Sequence, residues 1–199
     1  MREERKSMLI VISGPSGVGK GTIYSKLLEN DKSLTFSVSV TTRAPRQGER
    51  NGVDYFFISD EEYSRLLAEN AFLEHATVHG HSYGTLKSQV EEKMAAGQSV
   101  LLDIDPQGAR NVMAARPDCV SIFLLPPSYE ALRKRLYGRN TDHPEEIERR
   151  LGNARGEIEQ ANLYQYNVVN DDLELAYSQV SAIITAEKLR TTRYQPVVE

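Results

Sequence analysis

Residues 14–22 read Gly14-Pro15-Ser16-Gly17-Val18-Gly19-Lys20-Gly21-Thr22, directly behind an apolar run at 9–12. The glycines let the backbone curl so that several N–H groups converge on one anion. A helix opening near Gly19 adds the positive end of its dipole, and Lys20 adds a full charge. Strand, glycine loop, lysine and helix in this order make a phosphate-binding loop, which takes a nucleoside triphosphate. A plain glycine turn is the competing reading, and it leaves the lysine and the flanking elements unexplained. One residue departs from the usual pattern. Ser or Thr normally follows the lysine and ligates magnesium; here Gly21 follows, and the hydroxyl comes one position later, at Thr22. The phosphate cradle is kept, while direct magnesium ligation from the loop is left in doubt.

A second string, at 37–49, sets Arg43 and Arg46 three apart across Pro45 and behind the hydroxyl of Ser39. Two guanidinium forks on one short loop suit a phosphate monoester, since each donates parallel charge-assisted bonds. Tyr55 and Tyr83 bring further hydroxyls to the same task. For two arginines alone, a solvated charged turn would be the better reading. Asp103 and Asp105 end another apolar run at 100–104. A carboxylate there faces the phosphate loop in α/β nucleotide-binding folds and can hold magnesium directly or through water. Asp105 precedes Pro106, so it also suits the cap of a helix.

The elements that must position these groups follow from the hydrophobic pattern. Four continuous apolar runs, at 9–12, 100–104, 120–125 and 166–169, suit parallel strands covered on both faces. Helical patterns at 22–28, 86–96, 129–136, 144–164 and 173–189 alternate with them, which predicts a three-layer α/β fold. Residues 35–85 break that rhythm. Short antiparallel strands at 36–40, 55–57 and 72–78 around a helix at 61–68 predict an inserted mixed α+β lobe. The polar segment starting at 138 reads as a mobile lid, and 190–199 as a frayed tail. At 199 residues, with 40% hydrophobic and 26% charged residues, the chain is one soluble globular domain. Its net charge of −4 argues against a nucleic-acid or membrane binder and requires a locally basic pocket for any anionic substrate. The single Cys119 forms no internal disulfide, the charged N-terminus is no signal peptide, and no run spans a membrane. A cytoplasmic protein is expected.

Taken together, these strings resemble the guanylate kinase family. The resemblance continues through Phe72-Leu73-Glu74, Tyr83-Gly84-Thr85, Leu102-Asp103-Ile104-Asp105 with Gln107-Gly108, Pro126-Pro127-Ser128, Arg135-Leu136 with Gly138-Arg139, and Val169-Asn170-Asp171-Asp172. It covers essentially residues 8–188. The resemblance implies a P-loop kinase fold that transfers the γ-phosphoryl of ATP to GMP, and to dGMP, with Mg²⁺. It implies a nucleotide-binding core at 8–34, 86–137 and 165–189, a GMP lobe at 35–85, and a lid with its following helix at 138–164. Carried over by position, Ser39, Arg43, Arg46, Tyr55, Glu74, Tyr83, Thr85 and Asp105 form the GMP site. Gly14 to Thr22 and Asn170 hold ATP. Lys20, Arg43, Arg135, Arg139 and Arg150 act on the transferring phosphoryl. Asp103 holds magnesium, through water, and Thr22 is a second candidate. Glu74 makes chemical sense, because guanine offers N1–H and N2–H side by side and a carboxylate accepts both. Arg149 reads as solvated, and Asn170 suits a turn or helix cap nearly as well as an adenine contact.

Two other readings stay open on the residues alone. A guanylate-kinase-like scaffolding module would use the pocket to bind protein segments, and it would not need Lys20, the paired aspartates or the lid arginines. A P-loop kinase of a different small acceptor would need Lys20 but not Glu74 together with the Ser39/Arg43/Arg46 string. Phosphorylation of GMP in preference to other monophosphates separates all three.

Overall fold

A computed structural model of the chain describes residues 4–78, 80–138 and 143–196. The central strand is β2 (Leu9–Ser13), with every residue buried; β1 (Glu4–Arg5) precedes it. Beside β2 lie β8 (Ser99–Asp103) and β9 (Val120–Leu125), flanked in turn by β3 (Leu34–Phe36) and β10 (Tyr166–Val169), in the order β10-β9-β2-β8-β3. All four pairings are parallel. Strand periodicity sorts the apolar runs onto two faces. Ile10, Ile12, Leu101, Ile122 and Leu124 pack against Ile23 and Leu27 of helix α1 (Lys20–Asn30) and Val180 and Ile184 of α7 (Leu173–Lys188). Leu9, Val11, Val100, Leu102 and Phe123 pack on Val90 of α3 (Lys87–Ala95) and on Ala109 and Val112 of α4 (Pro106–Ala115). Each such aliphatic side chain contributes about 1.5–3 kcal/mol by leaving water. The result is a three-layer α/β fold.

A second sheet, ordered β5-β4-β7-β6, is built from β4 (Val40–Thr41), β5 (Phe56–Phe57), β6 (Phe72–Val78) and β7 (His81–Leu86). Its own small core joins Val40, Phe72 and Tyr63 of α2 (Asp60–Ala68). A third apolar cluster clamps α5 (Tyr129–Tyr137) to α6 (Pro144–Ile158) through Leu132, Leu136, Ile147 and Leu151.

Four expectations are corrected. The extended run at 36–40 is not one lobe strand: Phe36 pairs with β8, Ser37 N–H still donates to Leu101, and Ser39 C=O already accepts from Phe56. One stretch of chain thus leaves the first sheet and enters the second. The second sheet is also mixed, since β4 and β5 run parallel. The helix expected over 144–164 ends at Ile158 and tightens to a 3-10 turn at Glu159–Leu163. Last, the tail is tied down: β11 (Tyr194–Gln195) pairs antiparallel with β1, and Arg193 donates to the buried Glu187.

Candidate active site

The phosphate loop leaves β2 at Gly14, where a Cβ would lie 2.4 Å from the Leu124 carbonyl oxygen. It ends at Gly19, in the left-handed region at φ +101, where a Cβ would lie 2.5 Å from Nδ2 of Asn170. Neither position tolerates a side chain. Gly19 caps α1, so the helix N-terminus points into the loop. Lys20 Nζ donates to the Gly14 carbonyl at 2.7 Å, which holds the ammonium over its own loop. Asn170, buried, donates Nδ2–H to the Val18 carbonyl at 2.7 Å. The residue that caps α7 is Asp172, which accepts from Leu175 N–H. Asn170 is therefore a brace on the loop rather than a helix cap. Arg135 reaches the same Val18 carbonyl at 3.5 Å. Arg135, Asn170, Gly19 and Thr22 line one hollow of about 440 Å³.

A second cavity, of about 420 Å³, joins the loop to the other sheet. Ser16, Lys20, Asp103, Asp105 and Arg150 line it from one side, and Ser39, Arg46, Tyr55, Glu74 and Tyr83 from the other. Glu74 is 5% exposed and accepts the Thr85 hydroxyl at 2.7 Å. Burial pushes its carboxyl up to about 7, the Thr85 hydroxyl pulls it back in part, and Asp105 adds to the rise. Asp105 caps α4, accepting from Gln107 and Gly108 N–H, so its helix-capping reading holds while it also lines the cavity. Asp103, at the half-buried end of β8, has its pKa raised by loss of solvent around the carboxyl, with the charge of Lys20 opposing the rise. Burial pushes Tyr55 up to about 12, with Asp103 adding to the effect, so its hydroxyl stays a donor.

The remaining candidates divide between the cavity and its surroundings. Arg43 is not among the residues lining the cavity; it is paired with Glu49 beside the Tyr55 ring. Thr22 lines the hollow of Asn170 and not the cavity of Asp103. Arg150 comes within 3.4 Å of Ser16 Oγ while paired with Glu146, and Arg149, half-exposed, pairs with the same Glu146. Arg139 lies outside the described residues.

The sequence model of one family, described as guanylate kinase, matches residues 6–187. The chain belongs to the guanylate kinase family. It is 51% identical to a guanylate kinase from Symbiobacterium thermophilum over 193 residues, covering 97% of this chain and 92% of that one. It is 50% identical to one from Neisseria gonorrhoeae, covering 97% and 94%. Among solved structures it is similar to the crystal structure of guanylate kinase from Anaplasma phagocytophilum, with a TM-score of 0.80 at 39% identity over 96% of this chain and 90% of that one.

Two residues at the site of this guanylate kinase family member were given no role from the sequence, Gly108 although it stands in a motif of the resemblance, and Glu157. Gly108 sits in the first turn of α4, where a Cβ would lie 2.4 Å from Oε2 of Glu74. Its signal was a glycine inside a helix, where glycine costs about 1 kcal/mol against alanine. Glu157 lines the cavity between the loop and the second sheet, on the same helix as Arg150 and two turns on. Burial raises its pKa, and the charge of Lys20 opposes the rise. Only the packing of α6 over the loop reveals it.

Proposed function

We propose that this chain transfers the γ-phosphoryl of ATP to GMP, and to dGMP, giving ADP and GDP, in cytoplasmic purine nucleotide metabolism. The observation that carries the reading is one cavity lined both by the Lys20 loop and by a buried carboxylate, Glu74, suited to guanine. Residues 8–34, 86–137 and 165–189 form the nucleotide-binding core, 35–85 the GMP lobe, and 138–164 the lid with its following helix.

Glu74 accepts guanine N1–H and N2–H, and Thr85 holds the carboxylate in place. Adenine lacks both donors and would leave Glu74 unpaired, a mismatch worth roughly 10⁴ in discrimination. Ser39, Arg46, Tyr55 and Tyr83 hold the GMP phosphate, with Arg43 close behind and Asp105 completing the lobe-facing wall. That phosphate has a second pKa of about 6, so at neutral pH it is mostly a dianion and attacks without a protein base. Lys20 exchanges the Gly14 carbonyl for oxygens of the triphosphate. Arg135, Arg139 and Arg150 stabilise the charge that spreads over the transferring group. The hollow beside Asn170 takes the adenine. Closure over both substrates excludes water, which would otherwise hydrolyse ATP.

Magnesium fits this site without a ligand from the loop. Gly21 offers no hydroxyl, and among the described residues no three acidic, His or Cys side chains converge on a metal position. Asp103, which lines the cavity of Lys20, would hold Mg²⁺ through water, and Thr22, which lines the neighbouring hollow, is the second candidate. When bound with ATP, the ion supplies neutralisation of charge on the β- and γ-phosphate oxygens.

The deciding experiment is ADP formation from Mg-ATP with GMP, AMP, CMP or UMP in turn. Turnover selective for GMP is expected. Turnover with another base would refute the role of Glu74, and GMP binding without turnover would favour a scaffolding module.

A further inference from the structure

The loop between β4 and β5 carries a carboxylate to which the proposed reaction gives no part. Glu49 accepts two bonds from the Arg43 guanidinium, at 3.0 Å from Nη1 and 2.8 Å from Nη2. Its Oε2 also accepts the backbone N–H of Arg46 at 2.7 Å. A third Arg43 bond runs from Nη1 to the Ala44 carbonyl at 2.7 Å. Both partners are largely shielded, with side chains 11% and 19% exposed, unlike an ordinary surface ion pair.

These contacts decide which edge of Arg43 can still act. A guanidinium has five N–H groups. The three bonds take both N–H groups of Nη1 and one of Nη2. Nε–H and the second Nη2–H bond neither Glu49 nor Ala44 and lie side by side on the long edge, a fork with the spacing of two phosphate oxygens. The Tyr83 hydroxyl interacts with the same guanidinium, and the Tyr55 ring centroid lies 5.4 Å from its central carbon. Arg46, three residues on, lines the cavity. One carboxylate therefore holds the side chain of one arginine and the main chain of the other.

We propose that Glu49 is the positioning residue of the acceptor-phosphate site. It grips the end of Arg43, so that the Nε–Nη2 edge is the one offered beside Tyr83, and it fixes the turn that sends Arg46 into the cavity. The proposal rests on reading Arg43, Arg46, Tyr55 and Tyr83 as the grip on the GMP phosphate.

The test is calorimetric binding of GMP and of guanosine, which lacks the phosphate. In Glu49→Gln the GMP Kd is expected to rise about 10-fold, as befits loss of a bidentate charged bond, with the guanosine Kd unchanged. In steady state the loss falls on KM for GMP and not on kcat. The Arg43→Ala/Glu49→Gln double variant should lose less than the product of the single losses, because the two act as one unit. Wild-type GMP affinity in Glu49→Gln, beside a weakened Arg46→Ala, would overturn the proposal alone. Equal weakening of guanosine would reduce Glu49 to a structural residue. Unchanged GMP affinity in Arg46→Ala would overturn the phosphate-site reading and the proposal with it.

Discussion

At the scale of single residues, Glu74 sets chemistry against stability. Among the described residues no cation is paired with it; it accepts the Thr85 hydroxyl, and burial lifts its carboxyl to about 7 from an ordinary value near 4.5. A group whose folded pKa is raised contributes fully below its unfolded pKa, and that contribution is lost as pH rises through the folded value. Glu74→Gln should therefore stabilise the ligand-free protein above pH 7, by about 3 kcal/mol at most. Urea melts at pH 5.5 and 8 check this, with less than half of the full difference expected at the lower pH. The same ionisation gives wild-type GMP affinity a pH dependence: affinity should fall as pH drops through about 7, and the Gln variant should keep only the part set by the GMP phosphate, near pH 6. Glu74 and Lys20 were legible in the sequence because each sits in a motif whose chemistry has one natural reading. Arg43 was read as a phosphate ligand and not as the partner of Glu49, since ion pairing within a loop depends on a turn that no periodicity announces.

Among the elements, α4 shows how a glycine can be fixed by what it faces rather than by its own backbone. Gly108→Ala should favour the helix by up to about 1 kcal/mol, yet the new methyl would lie 2.4 Å from Glu74 Oε2. The carboxylate must then shift off Thr85, and KM for GMP should rise by roughly 10-fold or more, while thermal stability holds or improves. An unchanged KM would show that Glu74 has room to move. The four long strands were readable from their unbroken apolar runs. Residues 34–41 were not, because extended chain looks alike whichever sheet it pairs with, and here it serves two in turn. The tail also hid its role. Glu187 is 4% exposed and is bonded by Tyr166, Arg190 and Arg193. Burial alone would raise its pKa, but the Tyr166 hydroxyl and Arg193 outweigh burial and lower it. Arg193→Ala should cost about 2 kcal/mol, short of the ~3–5 lost when a buried pair is broken outright, because Tyr166 remains. Since the Glu187 pKa is depressed, its contribution is present above the unfolded value and lost as pH falls through the folded one. The gap between wild type and variant should accordingly narrow in acid. Equal midpoints at neutral pH would leave the tail without a stabilising role.

For the molecule as a whole, Cys119 is a built-in reporter of opening. It is 3% exposed, and burial pushes its thiol up to about 11, with Asp118 adding to the rise. A disulfide reagent at pH 8 should therefore label it only through unfolding. GMP at 100 times its Kd should slow labelling by about 100-fold if that opening is global. Labelling indifferent to GMP would mean that the β9 end of the sheet opens by itself. The composition had placed the chain among soluble globular proteins, and its acidic balance had required a local basic pocket; which arginines make that pocket waited on the packing of lobe, loop and α6. One further consequence follows from the pairing of Glu4 with Gln195 and of Arg5 with Tyr194. The two extremities of the fold already run side by side as neighbouring strands, so the polypeptide path is almost a closed ring. A short peptide joining them and a new break in an exposed turn, such as the one at Gly97, would give a circular permutant with every sheet pairing described here intact.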